Sequence, residues 1–107
     1  MYKQLTDYIN SQIEVSESEL SIILSYFKPM KLKKYDLAVN DGQTIHRIFF
    51  VDKGCLRIYF INKSGEEATR YFAFENQFAT SLVSFITGEP SEEFIQAAEY
   101  SELLYIT

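Results

Sequence analysis

The sequence has one cysteine, one histidine and no tryptophan among its 107 residues, and the first two scarcities exclude whole classes of chemistry. Cys55 alone forms no disulfide within the chain, so the core must hold without covalent staples, as suits a reducing compartment. Iron–sulfur ligation needs about four thiolates around one cluster, and a jelly-roll metal centre needs several histidines with a carboxylate. His46 and Cys55 match no metal-binding spacing and read as a loop residue and a strand residue, so no metal and no cofactor is expected. No apolar run approaches the roughly 18–20 residues of a membrane span. The N-terminal "MYKQLTDYINSQIEVSESEL" lacks the apolar block of a signal peptide. The expected address is the cytoplasm, with no membrane contact.

Positive charge is absent from the last third of the chain. Residues 1–70 carry ten bases against nine acids; residues 71–107 carry none against six, Glu75, Glu89, Glu92, Glu93, Glu99 and Glu102, for a net charge of −5. Phosphate neutralisation dominates nucleic-acid affinity, so such a chain is a poor direct binder of DNA or RNA. The single basic cluster, "KPMKLKK" (Lys28, Lys31, Lys33, Lys34), reads as a solvated helix–strand junction. Catalytic signatures are missing too. There is no Gly-x-Ser-x-Gly elbow and no phosphate-cradling glycine loop with a lysine. Glu66-Glu67 and Glu92-Glu93 are neighbours on extended segments, so their side chains diverge and form no acid/base dyad. The chain does not read as an enzyme.

What is present suits one small domain: 47% hydrophobic and 16% aromatic residues, enough for a modest core. Residues 1–27 are expected to be helical. Leu5, Tyr8, Ile9 and Ile13 follow helical spacing, and Ser16-Glu17-Ser18-Glu19 has the form of a capping box. Leu20, Ile23, Leu24 and Phe27 then form one apolar stripe, expected to cover a sheet edge or end, with Pro29 stopping the helix. From Met30 the period becomes two. Strands are expected near Ile48–Asp52, Cys55–Ile61 and Ala68–Phe74, with hairpin turns at Gly54 and "NKSGEE", and two more in "FIQAAEYSELLYIT" joined near Tyr100. Leu56, Ile58 and Phe60 should face the core, opposite Arg57, Tyr59 and Ile61. Many short strands after helices predict an antiparallel jelly roll or related barrel. The chain ends inside the apolar "ELLYIT", which suggests part of a longer protein.

One stretch looks built for a ligand: "FATSLVSFITGEPSEEFIQAAE", Phe78 to Glu99. A short helical run, Ser81 to Ile86, is bounded by Gly88 and Pro90 and followed by an alternating strand. A helix opening beside a strand presents unpaired N–H groups to an anion, yet the surrounding charges are all carboxylates.

In this order, "KKYDLAVNDGQ", "IFFVDKGCLRIYF", "EEATRYFAFENQF" and "SFITGEPSEEFIQAAEYSELLYI" resemble the effector domain of the Crp/Fnr family of bacterial transcription regulators, from about Ser18 to Thr107. The resemblance implies a cyclic-nucleotide-binding-like domain: mainly β, an antiparallel double-stranded β-helix or jelly roll, with a short helix in the phosphate-cassette position. It implies N-terminal helices over 1–29 and a β-roll over 30–107. It also implies a dimerisation helix and a DNA-binding winged helix-turn-helix, neither present in this chain, so that DNA contact and homodimer formation belong to a full-length protein.

Cyclic-nucleotide binders of the family carry a Gly-Glu pair whose carboxylate grips the ribose, and an arginine that holds the cyclic phosphate. Ala79-Thr80 stands at the first position, and Ser91 or Glu92 at the second. A charge-assisted phosphate contact contributes roughly 1.5–3 kcal/mol, and a carboxylate in its place adds repulsion. Only a distant arginine, Arg57 or Arg70 folding across, would restore the charge. The expected site is therefore a degenerate effector pocket at Phe78, Ala79, Thr80, Ser81, Leu82, Ser91 and Glu92, which does not bind cyclic AMP by the usual contacts. With Phe85 and Phe94, Phe78, Thr80 and Ser81 would otherwise line an apolar cavity for an unknown small effector, or fill a collapsed one. The alternative is a freestanding β-roll that binds proteins or a non-nucleotide small molecule.

Overall fold

The computed structural model describes residues 2–39, 47–80, 86–90 and 92–107. Among these residues two helices, α1 (Lys3–Gln12) and α2 (Glu17–Ser25), precede eight strands: β1 (Lys28–Leu32), β2 (Leu37–Val39), β3 (Ile48–Lys53), β4 (Leu56–Ile61), β5 (Glu67–Ala73), β6 (Phe78–Ala79), β7 (Glu93–Ala97) and β8 (Ser101–Ile106). The strands form two four-stranded sheets, ordered β1-β8-β3-β6 and β2-β7-β4-β5, with every pairing antiparallel. This is the expected jelly roll.

The helices form where the sequence places them. Ser16 caps α2: its hydroxyl accepts from the Glu19 N–H, and the Glu19 carboxylate accepts from the Ser16 N–H, which satisfies two otherwise orphaned donors. Leu5 and Ile9 of α1 are buried with Phe27, Phe50 and Leu104, while Leu20, Ile23 and Leu24 pack around them. Phe50 and Leu104 are opposite one another in adjacent strands. The helices therefore cover the outer face of the first sheet, and not an edge or end as expected. Ile13 falls beyond the last turn of α1 and is 53% exposed.

Pro29 does not precede the sheet but lies inside β1, opposite Leu104. β1 is an edge strand, where a residue without an N–H leaves no ladder bond unmade. The main core lies between the sheets: Leu32, Val39, Phe49, Val51, Leu56, Ile58, Ala73, Ala79, Ile95, Ala97 and Leu103. The alternation in β4 holds for Leu56 and Ile58, both fully buried. Tyr59, on the other face, is only 5% exposed, because Phe94 stacks on it at 4.9 Å and Arg57 lies over its ring.

The hairpin expected at Gly54 is a crossing between sheets, and so is the junction of the last two strands near Tyr100. β3 and β4 do not pair, and neither do β7 and β8; in each case the chain passes from one sheet to the other. Gly54 makes the first crossing at φ +100°, and a Cβ there would come within 2.6 Å of the Tyr100 carbonyl oxygen. The β4–β5 hairpin is as expected: the Asn62 side chain accepts the Ser64 and Glu66 N–H groups, and Gly65 supplies a positive φ.

Candidate functional site

The ladder between β3 and β6 fixes where the ligand-cassette stretch begins. Phe49 is opposite Ala79 and Phe50 opposite Phe78, so adjacent residues of β6 face opposite ways. Ala79 is buried in the inter-sheet core. Phe78 packs edge-on against Phe50 at 5.1 Å and Tyr8 at 5.4 Å, on the helix side. It does not line the inner pocket as expected, because the two-residue period turns it away.

Thr80 is held from both sheets. Its hydroxyl donates to the Arg47 carbonyl (3.1 Å), and its own carbonyl accepts from the Tyr71 hydroxyl (3.1 Å). Burial pushes the Tyr71 phenol above its ordinary pKa, its bond to Thr80 opposes that, and the Glu93 charge adds to it. Tyr71 is therefore a protonated donor at neutral pH. Ser81, Leu82, Phe85 and Ser91 lie outside the described residues, as does His46; of the expected short helix, Ser81 to Ile86, only Ile86 is described, and it and the following Thr87 are helical.

The acidic side of the site is organised by a bulge in β5. Ile58 is opposite Tyr71 but Tyr59 is opposite Thr69, so Arg70 is the extra residue. A bulge re-aims side chains, and here Arg70 turns to the core face. Its guanidinium lies 4.5 Å from the Phe60 ring centroid, and its Nε meets Glu93 Oε2 at 2.5 Å. Phe60 and Glu93 are themselves opposite each other, two residues along from the buried pair Ile58 and Ile95, and so share the inner face. Glu92 is exposed and lines an open recess of about 440 Å³ with Phe60, Ile61, Arg70 and Phe94. Phe94, expected in the inner cavity, stacks on Tyr59 across the sheet's outer face.

The other arginine considered for a phosphate does not reach the site. Arg57 is opposite Gln96 and Phe72, facing away from the core, where it binds Glu67 (2.7 Å) and Thr69 (2.9 Å). Sequence reasoning missed Arg47, whose backbone holds Thr80 and whose guanidinium lies 4.2 Å from the Tyr105 ring centroid. The signal was its phase with Phe49 and Val51 at the head of β3.

Cys55 is buried, and its thiol is pushed above its ordinary pKa by burial and then by the Glu99 charge, so it is not poised as a nucleophile. Among the described residues no group of three or more His, Cys, Asp or Glu is placed to hold a metal ion, and no helix is long and apolar enough to cross a membrane.

The architecture is that of the cyclic-nucleotide-binding-like jelly-roll domains, and the solved structures that share it include Crp/Fnr-family regulators. The sensor domain of the transcriptional regulator DNR from Pseudomonas aeruginosa superposes with a TM-score of 0.77 at 20% identity, covering 99% of this chain and 74% of that one. The Thermus thermophilus catabolite activator protein gives 0.74 at 20% identity, over 86% of this chain and 43% of that one. A mutant regulatory subunit of a cAMP-independent protein kinase A from Trypanosoma brucei, bound to cAMP in its A site, gives 0.82 at 11% identity, over 99% and 39%. The chain thus spans less than half the length of the latter two proteins. No family model matches the sequence, and no curated protein does.

Proposed function

We propose that the chain is the effector-sensing and dimerisation domain of a Crp/Fnr-type transcription regulator, with a phosphate cassette that no longer binds cyclic AMP by the usual Glu and Arg contacts. The two N-terminal helices, α1 and α2, and the β-roll that starts with β1 at Lys28 form the sensor. A dimerisation helix and a winged helix-turn-helix elsewhere in a cytoplasmic, homodimeric protein contact the DNA. Effector binding would act by favouring one of two arrangements of that dimer.

The observation that carries the degenerate cassette is the Arg70–Glu93 pair. The cation that reaches the inner face from β5 is already neutralised by a carboxylate from β7, and Ala79-Thr80 offers no acid for a ribose. A cyclic phosphate arriving there would meet Glu92 and a spent arginine. The fold shared with regulator sensor domains supports the wider reading.

Isothermal titration of cyclic AMP and cyclic GMP tests the cassette. No heat and no thermal shift are expected, and micromolar binding of either would overturn the reading. The regulator role falls if the full-length protein shows no sequence-selective, salt-sensitive DNA binding.

A second reading, a β-roll that serves as a protein-interaction module, is favoured by Phe72 and Phe74. These rings stack at 6.1 Å while 43% and 56% exposed, which is costly unless something covers them. Sedimentation of the Phe72→Ser/Phe74→Ser protein against the parent tests it: an unchanged state of association at high concentration counts against a self-association surface.

A further inference from the structure

All three arginines of the chain, Arg47, Arg57 and Arg70, lie over an aromatic ring, and among the described residues only one of them has no carboxylate partner. Arg57 over Tyr59 binds Glu67, and Arg70 over Phe60 binds Glu93. Arg47 lies over Tyr105, 4.2 Å from its centroid, and among the described residues its guanidinium meets no carboxylate.

Its position is not peripheral. Arg47 is half-buried and immediately precedes β3. It is in phase with Phe49 and Val51, both in the inter-sheet core. Tyr105 packs against that core and lies 6.3 Å from the Phe49 ring, so the guanidinium stands at the inner end of the roll. The Arg47 carbonyl accepts from Thr80 Oγ1 at 3.1 Å, which ties it to the third residue of the cassette stretch. A guanidinium laid on a ring keeps its edge N–H groups available, and its planar fork matches a carboxylate or phosphate. The stack fixes the orientation in advance, so little freedom is lost on binding.

We propose that Arg47 is the anion-binding residue of this roll: beside Thr80 it receives the carboxylate or phosphate of a small effector, from the sheet opposite Arg70. This assignment rests on reading the inner end of the roll as the effector pocket. It gives that pocket an anionic ligand class even though the cassette stretch carries no cation of its own.

The test is an NMR titration of the nitrogen-labelled protein at constant ionic strength, with inorganic phosphate and succinate as separate probes. The arginine Nε–H signals and the Thr80 amide report the site. Saturating shifts at Arg47 and Thr80 are expected with at least one probe, and the one that binds tells whether the effector carries phosphate or carboxylate. Arg47→Gln should weaken that binding at least tenfold, and Arg57→Gln should leave it unchanged. Arg47→Lys, which keeps the charge and loses the fork, should fall between and serves if the Gln variant folds poorly. Saturation at Arg70 or the β1 lysines instead, or no saturation at Arg47 with either probe, overturns the assignment. That failure leaves the effector-domain reading standing, since calorimetry with cyclic nucleotides and the DNA-binding assay decide it separately.

Discussion

Arg70 and Glu93 meet on the inner face of the second sheet because a bulge in β5 turns an arginine inward at the level of a glutamate in β7, two strands away. The glutamate side chain is 14% exposed and the arginine 54%. Such a half-exposed pair contributes little to stability, about 0–1 kcal/mol. On the reading proposed above, its larger effect is to occupy the guanidinium that a phosphate would otherwise use.

Replacing Glu93 by Gln keeps the side chain's size and frees Arg70. Arg70, Glu92 and Glu93 together carry one positive and two negative charges, so the change brings this group from −1 to neutral. A recovered charge-assisted contact is worth roughly 1.5–3 kcal/mol. Glu93→Gln should therefore show cyclic AMP binding by calorimetry where the parent shows none, with only a small loss of stability. No heat from the variant either would mean that Arg70 does not face the ligand position.

Tyr71→Phe removes both bonds between the tyrosine hydroxyl and the Thr80 backbone, one to its carbonyl and one from its N–H (3.4 Å), and should leave the roll intact. The tyrosine hydroxyl donates to the Thr80 carbonyl, and the Arg47 carbonyl remains bonded to the threonine hydroxyl. A neutral hydrogen bond contributes about 0.5–1.5 kcal/mol. Amide exchange around Thr80 should quicken several-fold while that of the core strands β3 and β4 stays the same. Uniform quickening would show that the tyrosine supports the whole sheet.

Gly54→Ala should be among the most disruptive single substitutions in the chain. The residue has φ +100°, a region that alanine rarely adopts, and the new Cβ would press on the backbone of Tyr100 and Ser101. Those residues belong to the β7–β8 crossing, so neither side can move without shifting a sheet. Conformational strain of about 1–3 kcal/mol adds to the steric cost, and denaturant unfolding should show a loss of at least about 3 kcal/mol. A loss below about 1 kcal/mol would mean that the crossing yields easily.

The fold was largely legible in the sequence because it rests on local periods: the capping box at Ser16, the stripe Leu20 to Phe27, and the alternation Leu56, Ile58. Gly54 was misread for a physical reason. A glycine between two strands signals a reversal, but whether the strands then pair or part into separate sheets depends on long-range partners. The site was harder to read. Phe78 and Phe94 are apolar at the right place in the chain, and only the ladders show that they face outward. Arg70 was named as a distant cation, but the bulge that turns it inward leaves no mark in composition. Arg47 escaped notice because it is distant in sequence from the cassette stretch, whereas β3 and β6 are neighbours in the sheet.

Asp52 gives the roll a pH dependence of definite sign. Its Oδ1 is buried, with no hydrogen-bond partner among the described residues. Burial raises its pKa above the ordinary 3.8, the terminal amine opposes the rise, and the Glu102 and Glu75 charges add to it. The folded state therefore binds this proton more tightly than the unfolded chain does. Between 3.8 and the folded value the native state holds the extra proton, so stability falls as the pH rises through that window and stays lower above it. Asp52→Asn removes the charge and supplies an N–H₂ donor close to two carboxylates. At pH 7 the variant should melt a few degrees above the parent, since about 1 kcal/mol moves the midpoint of a domain this size by roughly 4–8 °C. The gap should narrow on acidification and largely close by about pH 3.8. A gap that stays constant from pH 3.5 to 7 would show that the carboxylate titrates normally and that its burial costs nothing.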